Sequence, residues 1–142
     1  MTTAILWPTF ALVALIFIVW LTMVAQRLGH MRRTPPVSGD FASSETAGRY
    51  FQPVELASNN FSNLFEMPVL FLALVPLLLV FHHAGHVEVA LAWVYVALRA
   101  IHSFIHIVPK QVTSRFIVYL LSCIVLSAMW IGFAIDIMGA AG

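Results

Sequence analysis

The side chains able to do chemistry concentrate in three short stretches. Arg99, His102, Ser103 and His106 recur at i, i+3, i+4 and i+7, with Tyr95 one turn earlier. On a helix that spacing places them on one polar stripe. Asn59, Asn63 and Glu66 fall on one face at i, i+4 and i+7, and Arg115, Tyr119 and Ser122 follow at similar spacing. Two arginines against one carboxylate leave positive charge in excess, which suits a carboxylate or thiolate ligand held by charge-assisted hydrogen bonds. His102 and His106, at i and i+4, have the spacing to chelate a metal or a haem. No further soft ligands accompany them, so no metal is expected. His82, His83 and His86 read as a solvated turn.

The elements that must carry these residues are membrane helices. The chain is 61% hydrophobic and 9% charged, with a mean hydropathy of +0.95. A soluble domain carries about 25% charged residues. Four apolar runs reach spanning length, over about 4–25, 60–81, 87–108 and 115–136. The first rises about 33 Å as a helix, enough for a hydrocarbon core of about 30 Å. No Lys or Arg precedes it, and no small-residue cleavage site follows, so it reads as a retained span and not a signal peptide. Residues 26–58 form the one long polar loop, marked by Pro35-Pro36 and Ser43-Ser44 turns, in which a short helix is possible. Pro76 predicts a kink in the second span. The expected fold class is an all-α integral membrane four-helix bundle in one domain.

Net charge is +1, and no basic patch with interleaved aromatics exists, so nucleic acid is not an expected partner. The single cysteine, Cys123, lies in an apolar run and has no second cysteine to pair with. Arg27, Arg32, Arg33 and Arg49 fall in the first loop, and Lys110 and Arg115 flank the third connection. The second connection has none. Positive-inside bias then puts both termini outside and the first and third loops in the cytoplasm. Counted from those loops, Glu66 lies about 9 Å deep and Arg99 about 15 Å deep. A charge at mid-membrane costs about 2.5–3.5 kcal/mol unless paired. The two are therefore expected to be partners, within one chain or between neighbours. The pocket they bound opens to the cytoplasm.

At these residues the sequence resembles the MAPEG family, membrane-associated proteins in eicosanoid and glutathione metabolism, and its bacterial members in particular. The segments that carry the resemblance are Asn63-Leu64-Phe65-Glu66-Met67-Pro68-Val69-Leu70-Phe71 and Arg99-Ala100-Ile101-His102-Ser103-Phe104-Ile105-His106, followed by Arg115 and Tyr119. The resemblance implies a homotrimer of four-helix subunits in a bacterial inner membrane, with sites between neighbouring chains. It implies glutathione as the cofactor, bound by Asn63, Glu66 and Arg99, with His102 and Tyr119 at matching positions. Arg115 matches the arginine that holds the glutathione sulfur as thiolate, and is the implied catalytic residue. Three positions depart from the pattern. Asn59 stands where the family places an arginine, His106 where it has a tyrosine, and Phe116 where a serine follows the arginine.

Two readings follow. One is a glutathione- or thiol-dependent transferase or peroxidase acting on a lipophilic small molecule that arrives from the bilayer. The other is a non-catalytic membrane scaffold, or a lipid- or anion-binding module, that keeps the pocket. A structural oligomer whose polar cluster only staples helices is the third and blandest account.

Overall fold

The computed structural model describes residues 2–108 and 111–140. After a short 3-10 turn over Thr2–Ile5, the chain forms α1 (Leu6–Arg33), α2 (Ser44–Phe51), α3 (Glu55–Asn63), α4 (Met67–Val80), α5 (His86–Ile107) and α6 (Val112–Ala140). The architecture is all-α, with four long apolar helical segments able to cross a bilayer. The protein is an integral, multi-pass membrane protein. Large apolar side chains such as Trp7, Phe10, Phe17, Phe104 and Ile131 point outward, an arrangement lipid accommodates and water would not.

The polar loop is shorter than its composition suggests. α1 runs unbroken to Arg33, because 6–33 contains no internal proline after its first turn and His30, Arg32 and Arg33 complement the negative end of the helix dipole. The short helix foreseen in residues 26–58 is α2. Ser43 starts it through a capping box, its hydroxyl accepting from the Thr46 N–H at 3.2 Å while the Thr46 hydroxyl accepts from the Ser43 N–H at 3.0 Å. Tyr50 ties this helix back to α1 by donating its hydroxyl to the Thr34 carbonyl. A 3-10 turn over Gln52–Val54 leads into α3. Residues 26–58 are thus largely helical, which corrects their reading as a long loop. The third connection falls partly outside the described residues, and the chain is helical again from Val112.

The second crossing differs most from expectation. It is two helices, α3 and α4, separated by Leu64, Phe65 and Glu66. The cause is Pro68, the second residue of α4. Its ring lacks an N–H and would collide with the carbonyl of Leu64, four residues back. α3 accordingly ends with Leu64 as its C-cap, whose N–H is shared between the Asn60 and Phe61 carbonyls. Glu66 takes a non-helical backbone, φ −89° and ψ −99°. Asn59, Asn63 and Glu66 are therefore not three positions of one helix face. α4 continues through Pro76, so the break in the crossing lies at the earlier proline, Pro68. α4 alone rises about 21 Å, short of the roughly 30 Å core. The last turn of α3 and the break complete the crossing.

α5 is the central element. It packs most extensively on α6, then on α1 and α3. Phe71 of α4 stacks on Tyr95 of α5 with ring centroids 5.0 Å apart and an 18° interplanar angle. Leu12, Leu74, Leu78, Ala92, Leu126 and Met129 close around that pair, all buried. In lipid no hydrophobic force drives such helices together, so the close packing itself is what holds them. Trp130 of α6 adds a tie to α4, its Nε1 donating to the Leu70 carbonyl at 3.3 Å.

Candidate functional site

The polar stripe of α5 turns inward. Tyr95 and Arg99 are 0% exposed, and His102, Ser103 and His106 are each 3% exposed. The helical spacing in the sequence anticipated this face, and the structure adds what each side chain meets.

Arg99 meets the broken helix. Its Nη2 donates to the carbonyl of Asn63 at 3.1 Å. In an unbroken helix that carbonyl would accept the N–H of Met67, and the break ahead of Pro68 removes that partner. Freed backbone groups inside a membrane must be satisfied by other protein groups, and Arg99 does so here. Its guanidinium carbon lies 5.5 Å from the centroid of the Tyr119 ring on α6, within cation–π range. Among the described residues Arg99 forms no ion pair with Glu66, which is exposed at the N-terminus of α4. The pairing expected from matched depths is absent within one chain, because the break carries Glu66 off the face it would share with Asn63.

The histidines extend the site towards the end of α5. His102 Nδ1 lies 3.2 Å from the backbone carbonyl of Arg115, and its ring sits 5.7 Å from Tyr119 and 5.9 Å from His106. Arg115 itself is half-buried in the first turn of α6. Ser103 donates to Asn60 Oδ1 at 3.3 Å. Asn60 is 0% exposed and the sequence reading passed over it in favour of Asn59. The signal was available: Ala57 and Leu64, three residues before and four after, mark the buried face of α3, and Asn60 lies between them.

The structure thus brings together Arg99, the Asn63 backbone, His102, His106, Tyr119 and the first turn of α6. Asn59 lies elsewhere, exposed in a cleft of about 410 Å³ that it shares with Arg27, Phe51, Glu55 and Ser58. In that cleft Arg27 Nη2 donates to Ser58 Oγ at 2.9 Å, and the guanidinium stands 4.9 Å from the Phe51 ring.

Several buried polar atoms at the α5 stripe have no hydrogen-bond partner among the described residues: Arg99 Nε and Nη1, His102 Nε2, His106 Nδ1, Asn60 Nδ2 and the Tyr95 hydroxyl. Leaving such a group unpaired costs about 1–3 kcal/mol, and more when it is charged. The set is rich in donors and carries a full positive charge, so its chemistry fits an anion bearing carboxylate or sulfur acceptors. Among the described residues no group of three or more His, Cys, Asp or Glu is arranged to hold a metal ion.

Residues 5–135 match the sequence model of the MAPEG family. No curated protein and no solved structure shows significant similarity to the chain.

Proposed function

This chain belongs to the MAPEG family, whose members are membrane glutathione-dependent transferases and peroxidases, and from that premise we propose that it is a glutathione- or thiol-dependent transferase or peroxidase acting on lipophilic electrophiles. The observation that carries this reading is the buried guanidinium of Arg99, with two nitrogens unpartnered among the described residues, beside His102 and Tyr119 on helices that cross a membrane.

The family's typical use of glutathione fits this donor set. Arg99 and Asn63 would hold a carboxylate of glutathione, Glu66 would accept from its ammonium group, and Tyr119 would flank it. When bound, glutathione supplies a thiol nucleophile. Arg115 favours the anionic sulfur, because a guanidinium near a thiol of ordinary pKa about 8.5 stabilises the thiolate. The packed apolar shell of Phe71, Tyr95 and Leu126 excludes water behind the stripe. The exposure of Glu66 in a single chain supports a homotrimer with sites between neighbours, where Glu66 would meet the next chain's polar groups. The basic residues of 26–58 support a cytoplasm-facing site with termini outside, and the resemblance to bacterial members points to the inner membrane of a bacterium.

The test is direct. Full-length protein in nanodiscs is heated with and without millimolar glutathione and assayed with an aromatic electrophile. The reading expects a raised unfolding midpoint, since a ligand binding only the folded state must stabilise it, together with conjugate formation. No midpoint shift and no conjugate refute it. A second reading, a non-catalytic anion-binding module, draws on Asn59 and Phe116, which put an amide and an aromatic ring where the family pattern has an arginine and a serine. Having lost glutathione binding, such a module expects neither the glutathione midpoint shift nor conjugation.

A further inference from the structure

Resting on the thiol-dependent reading above, we infer that His102 Nε2 is the base that takes the proton of the bound thiol, while the arginines hold only the resulting charge. Guanidinium groups stay protonated at any physiological pH, so neither Arg99 nor Arg115 can accept that proton. The amides of Asn60 and Asn63 are not bases. Of the buried groups at the stripe, the imidazoles of His102 and His106 remain.

The geometry selects His102. The Arg115 backbone carbonyl that it meets at 3.2 Å can only accept a hydrogen bond. His102 Nδ1 must therefore carry the hydrogen, which fixes the tautomer and leaves the lone pair of Nε2 bare. Nε2 is buried, and it has no hydrogen-bond partner among the described residues. The ring is held between Tyr119 at 5.7 Å and His106 at 5.9 Å, so Nε2 has a fixed direction. His106 lies one turn further along, whereas it is the His102 ring that lies beside Tyr119, which would flank the ligand, and against the backbone of Arg115, which would hold the sulfur.

The groups around this nitrogen couple the transfer to charge formation. Arg99 and His106 face it from α5, Arg115 and Tyr119 from α6, while α3 contributes only the neutral Asn60 and Asn63. A proton arriving alone would be repelled by the guanidiniums. Balanced by a thiolate formed in the same step, it is accommodated. The S–H bond breaks, an N–H bond forms on Nε2, and the electron pair stays on sulfur. No proton enters bulk solvent.

That balance is the test. Full-length protein in nanodiscs receives glutathione, or S-methylglutathione as the baseline, in weakly buffered solution. The ultraviolet thiolate band and the proton count from an indicator dye are read together. The expected result is a thiolate band with no proton release beyond the S-methylglutathione baseline. His102→Asn keeps a donor for the Arg115 carbonyl but removes the base. It should lose the band or release one proton per bound thiol, and its conjugation rate should fall about 10²–10⁴-fold, the usual worth of a general base. S-methylglutathione binding by this variant shows that its site is intact, and if the variant does not fold, the wild-type proton count decides alone. One proton released per thiol by the wild type overturns the inference and leaves the proposed function standing, as does loss of the band in His106→Asn but not in His102→Asn. Absence of saturable binding by either peptide overturns the proposed function and this inference with it.

Discussion

Replacing Arg99 with methionine separates the ligand role of this residue from its structural one. Two contacts are lost. The charged hydrogen bond from Nη2 to the Asn63 carbonyl contributes about 1.5–3 kcal/mol, and the desolvated contact with the Tyr119 ring about 2 kcal/mol. Against this, a buried cation with no carboxylate partner among the described residues is removed, and such a charge costs about 2.5–3.5 kcal/mol at mid-membrane. The losses exceed the relief by no more than about 2.5 kcal/mol, so the ligand-free variant should unfold within about 2.5 kcal/mol of the wild type. Methionine also fills most of the volume, which limits any cavity. The ligand-bound comparison is different. At a glutathione concentration one hundred times its Kd, the wild type gains about 2.7 kcal/mol, and Arg99→Met should gain almost none. The assay is the unfolding midpoint of both proteins in nanodiscs across a glutathione series. A ligand-free loss above about 4 kcal/mol, with the glutathione-dependent shift intact, would refute the reasoning and make Arg99 a helix staple.

Other residues carry further expectations. Ser103→Ala leaves Asn60 Oδ1 unpaired in a fully buried position and should cost about 1–3 kcal/mol, whereas the double change with Asn60→Leu should recover most of it in a thermodynamic cycle. Phe71→Ala removes the stacking partner of Tyr95 and should cost about 3–5 kcal/mol by calorimetry, the range for a large buried aromatic. Pro68→Ala restores an N–H to the second crossing. Spin labels at Ser58 and Leu77 should then report a longer, narrower distance distribution as α3 and α4 join, with weaker glutathione binding because Asn63 is carried out of place. Asp136→Asn breaks the 3.4 Å contact with His83, whose partners are 47% and 29% exposed. Its effect on the midpoint should stay below about 1 kcal/mol.

The sequence carried the fold class well, because long apolar runs leave few alternatives: backbone groups in lipid must be satisfied internally, and helices do this locally. It also carried the inward face of α5. Arg99, His102, Ser103 and His106 are too costly to turn towards lipid, and their period fixes the face. What the sequence hid depends on one proline. Pro68 lies inside the stretch 60–81, whose hydropathy describes one continuous span. Its collision with the Leu64 carbonyl breaks the helix, moves Glu66 off the shared face and frees the Asn63 carbonyl for Arg99. Helical spacing across residues 59–66 therefore does not give the contacts these residues make within one chain, and hydrophobicity alone could not supply them. Asn60 is a different case: Ala57 and Leu64 at helical spacing already mark its buried face, which a span starting at residue 60 cuts off. The extent of α1 was missed because polar composition was read as loop, although residues 26–33 continue the helix without a breaker.

The central claim is that the buried stripe around Arg99 binds a thiol-bearing anionic tripeptide. Equilibrium dialysis of labelled glutathione against the full-length protein in nanodiscs measures this directly. The account predicts saturable binding that unlabelled glutathione and S-methylglutathione both displace, and that Arg99→Met abolishes while the protein stays folded. Binding that is absent, or that survives Arg99→Met unchanged, would contradict it.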